Sequence, residues 1–275
     1  MTAEDPPVGP LLCLTATELE VLEVAHLHGL AGHRPTPAQE GEDPGPAWME
    51  AIASLTARGL LDARGRLHEG TAAGQAAQTM LDVRLAAGAV VVVERLVEAG
   101  GARRDLRLLH LLPLGAVVED VHAEGLHGLD LVLDAGPLVE GTVAMLVPHG
   151  MDDDEAAGSP PRRLVEVDTA DPEAASRMPA LLGHPTVLAE LSLVPASSPG
   201  SVGSPGSAGP PGSPASIGGS QPAITGHLLA LGPAGCWAAA RAEGPLRFSR
   251  VPASWLRETL EAWVATVLED LPDPG

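Results

Sequence analysis

The chain has no lysine, no asparagine and no tyrosine, and aromatic residues make up only 2% of its 275 positions: four Trp and a single Phe, Phe248. Its core must therefore be built from Leu, Val and Ala, side chains that repack easily and supply few large anchors. All sixteen basic residues are arginine; they face 36 acidic ones, for a formal net charge of -20. A surface of that sign repels phosphate backbones and anionic lipid headgroups, so neither a nucleic acid nor an acidic membrane is an expected partner. The longest apolar run, residues 86–93, falls far short of the roughly 20 residues needed to cross a bilayer, so no stable membrane insertion is expected. The first ten residues carry neither the basic region nor the apolar region of a signal peptide, which predicts a cytoplasmic protein. The two cysteines, Cys13 and Cys236, read as small buried thiols in a reducing compartment rather than as a disulfide.

Motifs of chemistry are missing as well. There is no Gly-x-Ser-x-Gly elbow, no Cys-x-x-Cys pair, no Gly-x-Gly-x-x-Gly turn and no phosphate loop. The sequence thus predicts no catalytic residues, no bound metal and no cofactor. Two Glu-x-x-His motifs, Glu23/His26 and Glu119/His122, have the spacing used in di-iron bundles, which would make a metal-dependent enzyme. That reading needs two more glutamates on two other helices, and the second motif lies in a segment that reads as strand. His122, His127 and Asp130, and His149 with Asp152, Asp153 and Asp154, have no ligand spacing and read as a strand end and a solvated loop.

What the sequence does contain is a clear order of elements. Thr15 with Glu18 has the form of a capping box opening a helix over 16–28, with Leu19, Leu22, Ala25 and His26 on one face and Gly29 as its stop. A second helix runs from Pro46 to Gly59, with Trp48, Ile52 and Leu55 as its apolar stripe. Asp62 to Gly65 forms a turn, 66–68 is extended, and a third helix covers 71–80. Val- and Leu-rich runs at 81–85, 89–97, 106–112, 116–122 and 128–134 then read as strands of a mainly antiparallel sheet, the second of them equally as a buried helix. Residues 137–147 are strand or short helix, 151–161 an acidic loop, 164–167 a strand, and 171–193 helical with a break at 183–185. Three strands at 224–231, 236–241 and 246–251 precede a closing helix over 253–271, whose apolar side carries Trp255, Leu256, Leu260 and Trp263.

Between them lies a segment of another kind. Of the 29 residues 195–223, 22 are Gly, Pro or Ser and none is charged, a composition that predicts a disordered linker. The expected organisation is a flexible tail over 1–13, an α+β body over 14–194 with an N-terminal helical module, the linker over 195–223, and a C-terminal unit over 224–275. That last unit is too small to stand alone and is expected to pack back onto the body.

The helix–helix–turn–strand unit at 15–68 is similar to a winged helix, which would suit a transcriptional regulator. DNA-binding versions carry basic side chains toward the groove, whereas helix two offers only Arg58.

Three patterns together resemble the EspG family of actinobacterial type VII (ESX) secretion. They are Leu14-Thr15-Ala16-Thr17-Glu18-Leu19, Leu55-Thr56-Ala57-Arg58-Gly59-Leu60 followed by Gly65-Arg66-Leu67, and the late strand pair carrying Gly235-Cys236-Trp237 before a final helix. The resemblance covers about residues 14–271 apart from the linker. It implies an α+β fold, a central mainly antiparallel sheet flanked by helical bundles in approximate pseudo-symmetry. It also implies a cytosolic, non-enzymatic chaperone that binds the helical tip of a secreted PPE-type protein. The 29-residue linker and the low aromatic content depart from that pattern. Such a role requires an apolar surface with a polar rim. The candidate partner-binding residues are Leu228, Leu229 and Leu231 on one strand, Trp237 on the next, and Leu131 with Leu133 in the middle of the chain.

Overall fold

In a computed structural model, the described residues are 11–31, 45–97, 103–122, 124–148, 151, 164–168, 170–195, 224–241 and 244–269. The expected acidic loop over 151–161, apart from Met151, and all of the expected linker except Pro195 lie outside them. Among the described residues the chain runs β1 (Leu12–Thr15), α1 (Ala16–Leu30), α2 (Pro46–Ala57), α3 (Ala72–Ala86), β2 (Ala89–Val97), β3 (Arg103–Leu112), β4 (Gly115–Val121), β5 (Leu126–Val132) and α4 (Ala135–Leu146). It continues β6 (Leu164–Val167), α5 (Pro172–Leu181), β7 (Val187–Pro195), β8 (Thr225–Gly232), β9 (Gly235–Ala240), β10 (Leu246–Val251) and α6 (Ser254–Glu269). The fold is α+β.

All ten strands join one sheet in the order β1-β5-β4-β3-β2-β7-β8-β9-β10-β6, every pairing antiparallel. The order reads the same from both edges. Each half consists of an edge strand, a helical connection, a four-strand meander and a closing helix, and the halves meet where β2 pairs with β7. The expected pseudo-symmetry is therefore present. It is visible even in two turns: Leu112 pairs with Gly115 across Pro113-Leu114, and Gly232 pairs with Gly235 across Pro233-Ala234. In both, proline presets the first turn residue, and the closing glycine takes a positive φ, +147° at Gly115 and +99° at Gly235.

Three apolar clusters hold the layers together. On one face α4 and α6 cover the middle of the sheet, burying Val91, Val93, Leu109, Leu191, Leu229 and Leu231. On the other face α1, α2 and α3 cover β1, β4 and β5 through Leu14, Leu22, Leu55, Met80, Val117 and Leu129. At the far end of that same face α5 and its C-terminal extension cover β6 and β8 to β10 through Val167, Leu182, Trp237 and Phe248.

The capping box forms as expected. Glu18 N–H donates to Thr15 Oγ1 at 3.1 Å, and Thr15 N–H donates to Glu18 Oε2 at 2.8 Å. Pro46 opens α2, and the Leu61–Leu67 bridge follows the Asp62 to Gly65 turn. Other boundaries differ from expectation. Leu12 and Cys13, placed in the tail, form half of β1 and pair with β5. Gly29 does not stop α1; it lies inside the helix, which runs on to Leu30. Residues 81–85 are not a strand. They continue α3, with Leu81 buried and Asp82 and Leu85 exposed, because no Gly or Pro interrupts the chain between Gly74, in the first turn of the helix, and Gly88. Residues 89–97 are strand, and 137–147 are helix up to Leu146. The expected helical stretch to 193 ends at Leu181. Gly183 (φ +77°) and His184 (φ +55°) turn the chain, and Val187, Ala189 and Leu191 then alternate inward as strand β7.

Candidate functional site

The six residues proposed for partner contact do not form one surface. Leu229 and Leu231 point into the core under α4 and α6, whereas Trp237 and the half-buried Leu228 point to the opposite face beside α5. Leu131 packs against the cluster under α1 to α3. Only Leu133 is open, 74% exposed beside Gly115 at the β3–β4 turn. The strands lie where the sequence places them, but the facing of their side chains differs from expectation, since strand parity follows from the sheet as a whole.

The apolar surface left open lies elsewhere. On the α1/α5 side the cluster under α1 to α3 draws strand residues only from β1, β4 and β5, and the cluster under α5 begins at β8, with Leu188 as its sole contributor from β7. Between them, β3, β2 and β7 present rows fixed by register. His110, Val90 and Val194 form one row, and Leu108, Val92 and Ser192 the next. Leu106, Glu94 and Glu190 follow, then Arg104, Leu96 and Leu188. The valines and leucines here are half-buried, and apart from Leu188 none belongs to a core cluster. Two acidic residues, Glu94 and Glu190, face each other within the third row, and each is ion-paired, Glu94 to Arg104 at 2.9 Å and Glu190 to Arg241 at 2.5 Å. α3 reaches over the His110 end of β3, so the open width runs from β3 to β8, roughly 14 Å at about 4.8 Å per strand, room for one packed helix. One sequence signal could have located it. Residues 89–93 are apolar without alternation, as expected of a strand that offers apolar side chains on both faces.

Next to this surface, beneath α1 and α3, lies a buried charged cluster. Glu119, 1% exposed, takes His110 Nε2 at 3.0 Å, His127 Nδ1 at 2.6 Å and Arg84 Nη2 at 3.2 Å. Arg84 also reaches Glu23 on α1 at 2.5 Å. Burial alone would raise the Glu119 carboxyl; the hydrogen bond from His110, the Arg84 charge and the His127 bond outweigh it and hold the group at about 2. The paired Glu-x-x-His reading is thereby corrected. Glu119 is on a strand and its partners are His110 and His127, while His122 is exposed beyond the end of β4. Among the described residues no group of three or more His, Cys, Asp or Glu is placed to hold a metal ion. His127 is committed to Glu119 and Asp130 accepts the Leu11 N–H, so the His122/His127/Asp130 grouping does not assemble; His149 and Asp152 to Asp154 lie outside the described residues.

Above Glu119 the C-terminal halves of α1 and α3 part to form a cleft of about 280 Å³ that ends at His110. A larger, polar hollow of about 470 Å³ lies on the other side of His26, where Asp62 is held by Arg66 at 3.0 Å.

No protein-family model and no curated protein matches the chain. Among solved structures it is similar to the Mycobacterium tuberculosis type VII secretion system chaperone EspG5, in a structure of that chaperone in complex with the PE25-PPE41 dimer. Identity is 12%, the match covers 95% of this chain and 96% of that one, and the TM-score is 0.48.

The winged-helix reading gains no basic surface. Arg58, the C-cap residue of α2, is spent inside the module, 3.3 Å from Glu18 and donating to the Cys13 carbonyl at 2.8 Å. Cys13 and Cys236 are both free thiols; Cys236 is buried as expected, whereas Cys13, on edge strand β1, is exposed. Seven strand spacings separate β1 from β9, roughly 34 Å, so the two cannot pair. Burial pushes the Cys236 thiol up to about 12, which makes it inert. No described helix is long and apolar enough to cross a membrane.

Proposed function

We propose that this protein is a cytoplasmic, non-enzymatic chaperone or adaptor that holds a helical secreted polypeptide, PPE-like in character, of a type VII secretion system. The observation that carries the reading is the apolar strip over β2, β7 and the 106–108 part of β3, about one helix wide, left open between two helix-covered ends of one sheet face. An amphipathic helix laid on Val90, Val92, Leu106, Leu108 and Val194 would bury those side chains at roughly 25 cal/mol per Å². The ion pairs Glu94–Arg104 and Glu190–Arg241 close the Val90/Val92 end of the strip with a polar border. The EspG-like sequence patterns at 14–19, 55–67 and 235–237 point to the same class of partner.

The test is co-expression with a helical, PPE-like secreted protein. The expected result is a soluble complex that survives size exclusion, and its loss in a Leu106→Glu variant whose melting curve is otherwise unchanged. A partner that stays soluble alone and does not co-elute refutes the proposal.

A further inference from the structure

The cleft between α1 and α3 has an unusual combination of walls. Its rim is greasy: Leu27 and Leu85 are 48% and 57% exposed, and Leu81 closes the wall behind them. Its polar side is acidic. Glu23 lines it with its side chain 42% exposed, and Asp82 stands at the edge, 53% exposed, 3.0 Å from His26 Nε2. The single cation in the wall, Arg84, is already shared between Glu23 and the buried Glu119. Glu23 and, at the edge, Asp82 thus stand against one arginine, which the buried Glu119 also holds, and the imidazoles of His26 and His110 complete the lining. A second observation bears on the same spot. His26 is 5% exposed and lines the cleft, yet its Nε2 lies outside hydrogen-bonding geometry and has no hydrogen-bond partner. Exposed leucines around an acidic, incompletely satisfied recess complement an apolar segment carrying positive charge, and the -20 charge of the chain steers such a segment toward it.

We propose that this cleft seats a basic side chain, Arg or Lys, of an amphipathic partner helix, whose apolar neighbours lie on Leu27 and Leu85. The inference deepens the partner-binding reading and rests on it for the kind of molecule bound. The cleft ends at His110, in the same row as Val90 and Val194, so one helical partner can occupy the strip and the cleft together. The basic residue then fixes which helix is accepted and in which register, because burying a Glu there would set like charges against Glu23 and Asp82.

The test uses the full chain and a synthetic amphipathic peptide of about 20 residues, long enough to populate a helix. The peptide carries one Arg within its apolar face; a second, otherwise identical, carries Glu there. Calorimetric titration should show the Arg peptide binding about tenfold more tightly than the Glu peptide, with the preference shrinking as salt is raised. In a Glu23→Gln/Asp82→Asn double variant the two peptides should bind alike. Leu85→Asp, at an exposed position where folding is not at stake, should abolish binding of the Arg peptide. Equal affinities for the two peptides, no binding of either, or an undiminished Arg peptide on Leu85→Asp overturns the inference. A chain that discriminates the peptides but captures no secreted partner refutes the chaperone reading and leaves the cleft assignment in place; the reverse outcome does the opposite.

Discussion

Replacing Glu119 by Gln removes the one charge around which the N-terminal helices and the sheet are joined. The carboxylate is closed off from water, takes three partners from β3, β5 and α3, and sits at about 2 instead of the ordinary 4.5. A tenfold change in proton affinity is worth about 1.4 kcal/mol, so the depressed value is a stabilisation on the order of 3 kcal/mol at neutral pH. The sign follows from the direction of the change. A carboxyl lowered on folding contributes fully above its unfolded value, near 4.5, and loses that contribution as pH falls toward 2. By pH 3 less than roughly half of it remains. Glu119→Gln keeps the shape and two hydrogen-bonding atoms but leaves Arg84 with Glu23 as its only counter-charge, in a setting where an uncompensated cation is expensive. Urea denaturation at pH 7 should therefore show a lower midpoint with an unchanged slope, equivalent to a loss of about 3 kcal/mol. At pH 3 the gap between wild type and variant should narrow to less than half. A loss below about 1 kcal/mol at pH 7, or a gap that does not change with pH, would refute the argument that this carboxylate is held charged by its partners.

Further outcomes can be checked on the same protein. Thr15→Ala should lower stability by about 1 kcal/mol in the same denaturation assay, since it removes the hydroxyl that accepts the Glu18 N–H. Two glycines should respond with opposite sign. Gly29→Ala lies inside α1 with nothing within 4 Å of the new methyl and should raise stability by about 0.5–1 kcal/mol. Gly183→Ala must adopt a positive φ, with its methyl overlapping that of Ala234, and should lower the melting temperature clearly. His227 lies between Trp255 (centroids 5.0 Å apart) and Trp263 (5.8 Å), and burial pulls its affinity for a proton below the usual 6.5. Stability should thus be complete above pH 6.5 and decline as pH falls below it. His227→Leu should flatten that part of the curve, as read by tryptophan fluorescence during unfolding.

Some of this was legible along the chain because the information is local. The Thr15/Glu18 capping box, Pro46 at a helix start and the Val/Leu runs at 89–97, 106–112 and 116–122 act within a few residues, and each marks an element found in place. Leu19, Leu22, Ala25 and His26 could be put on one buried face because helical periodicity alone determines it. Residues 81–85 and 187–193 show where local reading fails. Both are short apolar runs compatible with either backbone, and the first became helix by continuation of α3 while the second became strand because a place between β2 and β8 was open to it.

The sequence by itself determined the class of this protein. It is an α+β chain with a Leu/Val/Ala core, an acidic surface and no recognisable catalytic, metal or nucleotide motif, and each of these follows from residue types and short spacings. Which residues meet was decided only by the tertiary structure. Glu119 stands directly across from Leu108 and Leu129, and its histidines are the diagonal neighbours two positions away on each flanking strand, a placement that exists only once the register is set. The open strip over β3, β2 and β7 likewise depends on where two helical layers stop. No stretch of sequence encodes that edge, because it is the boundary between elements that lie far apart along the chain and close together in space.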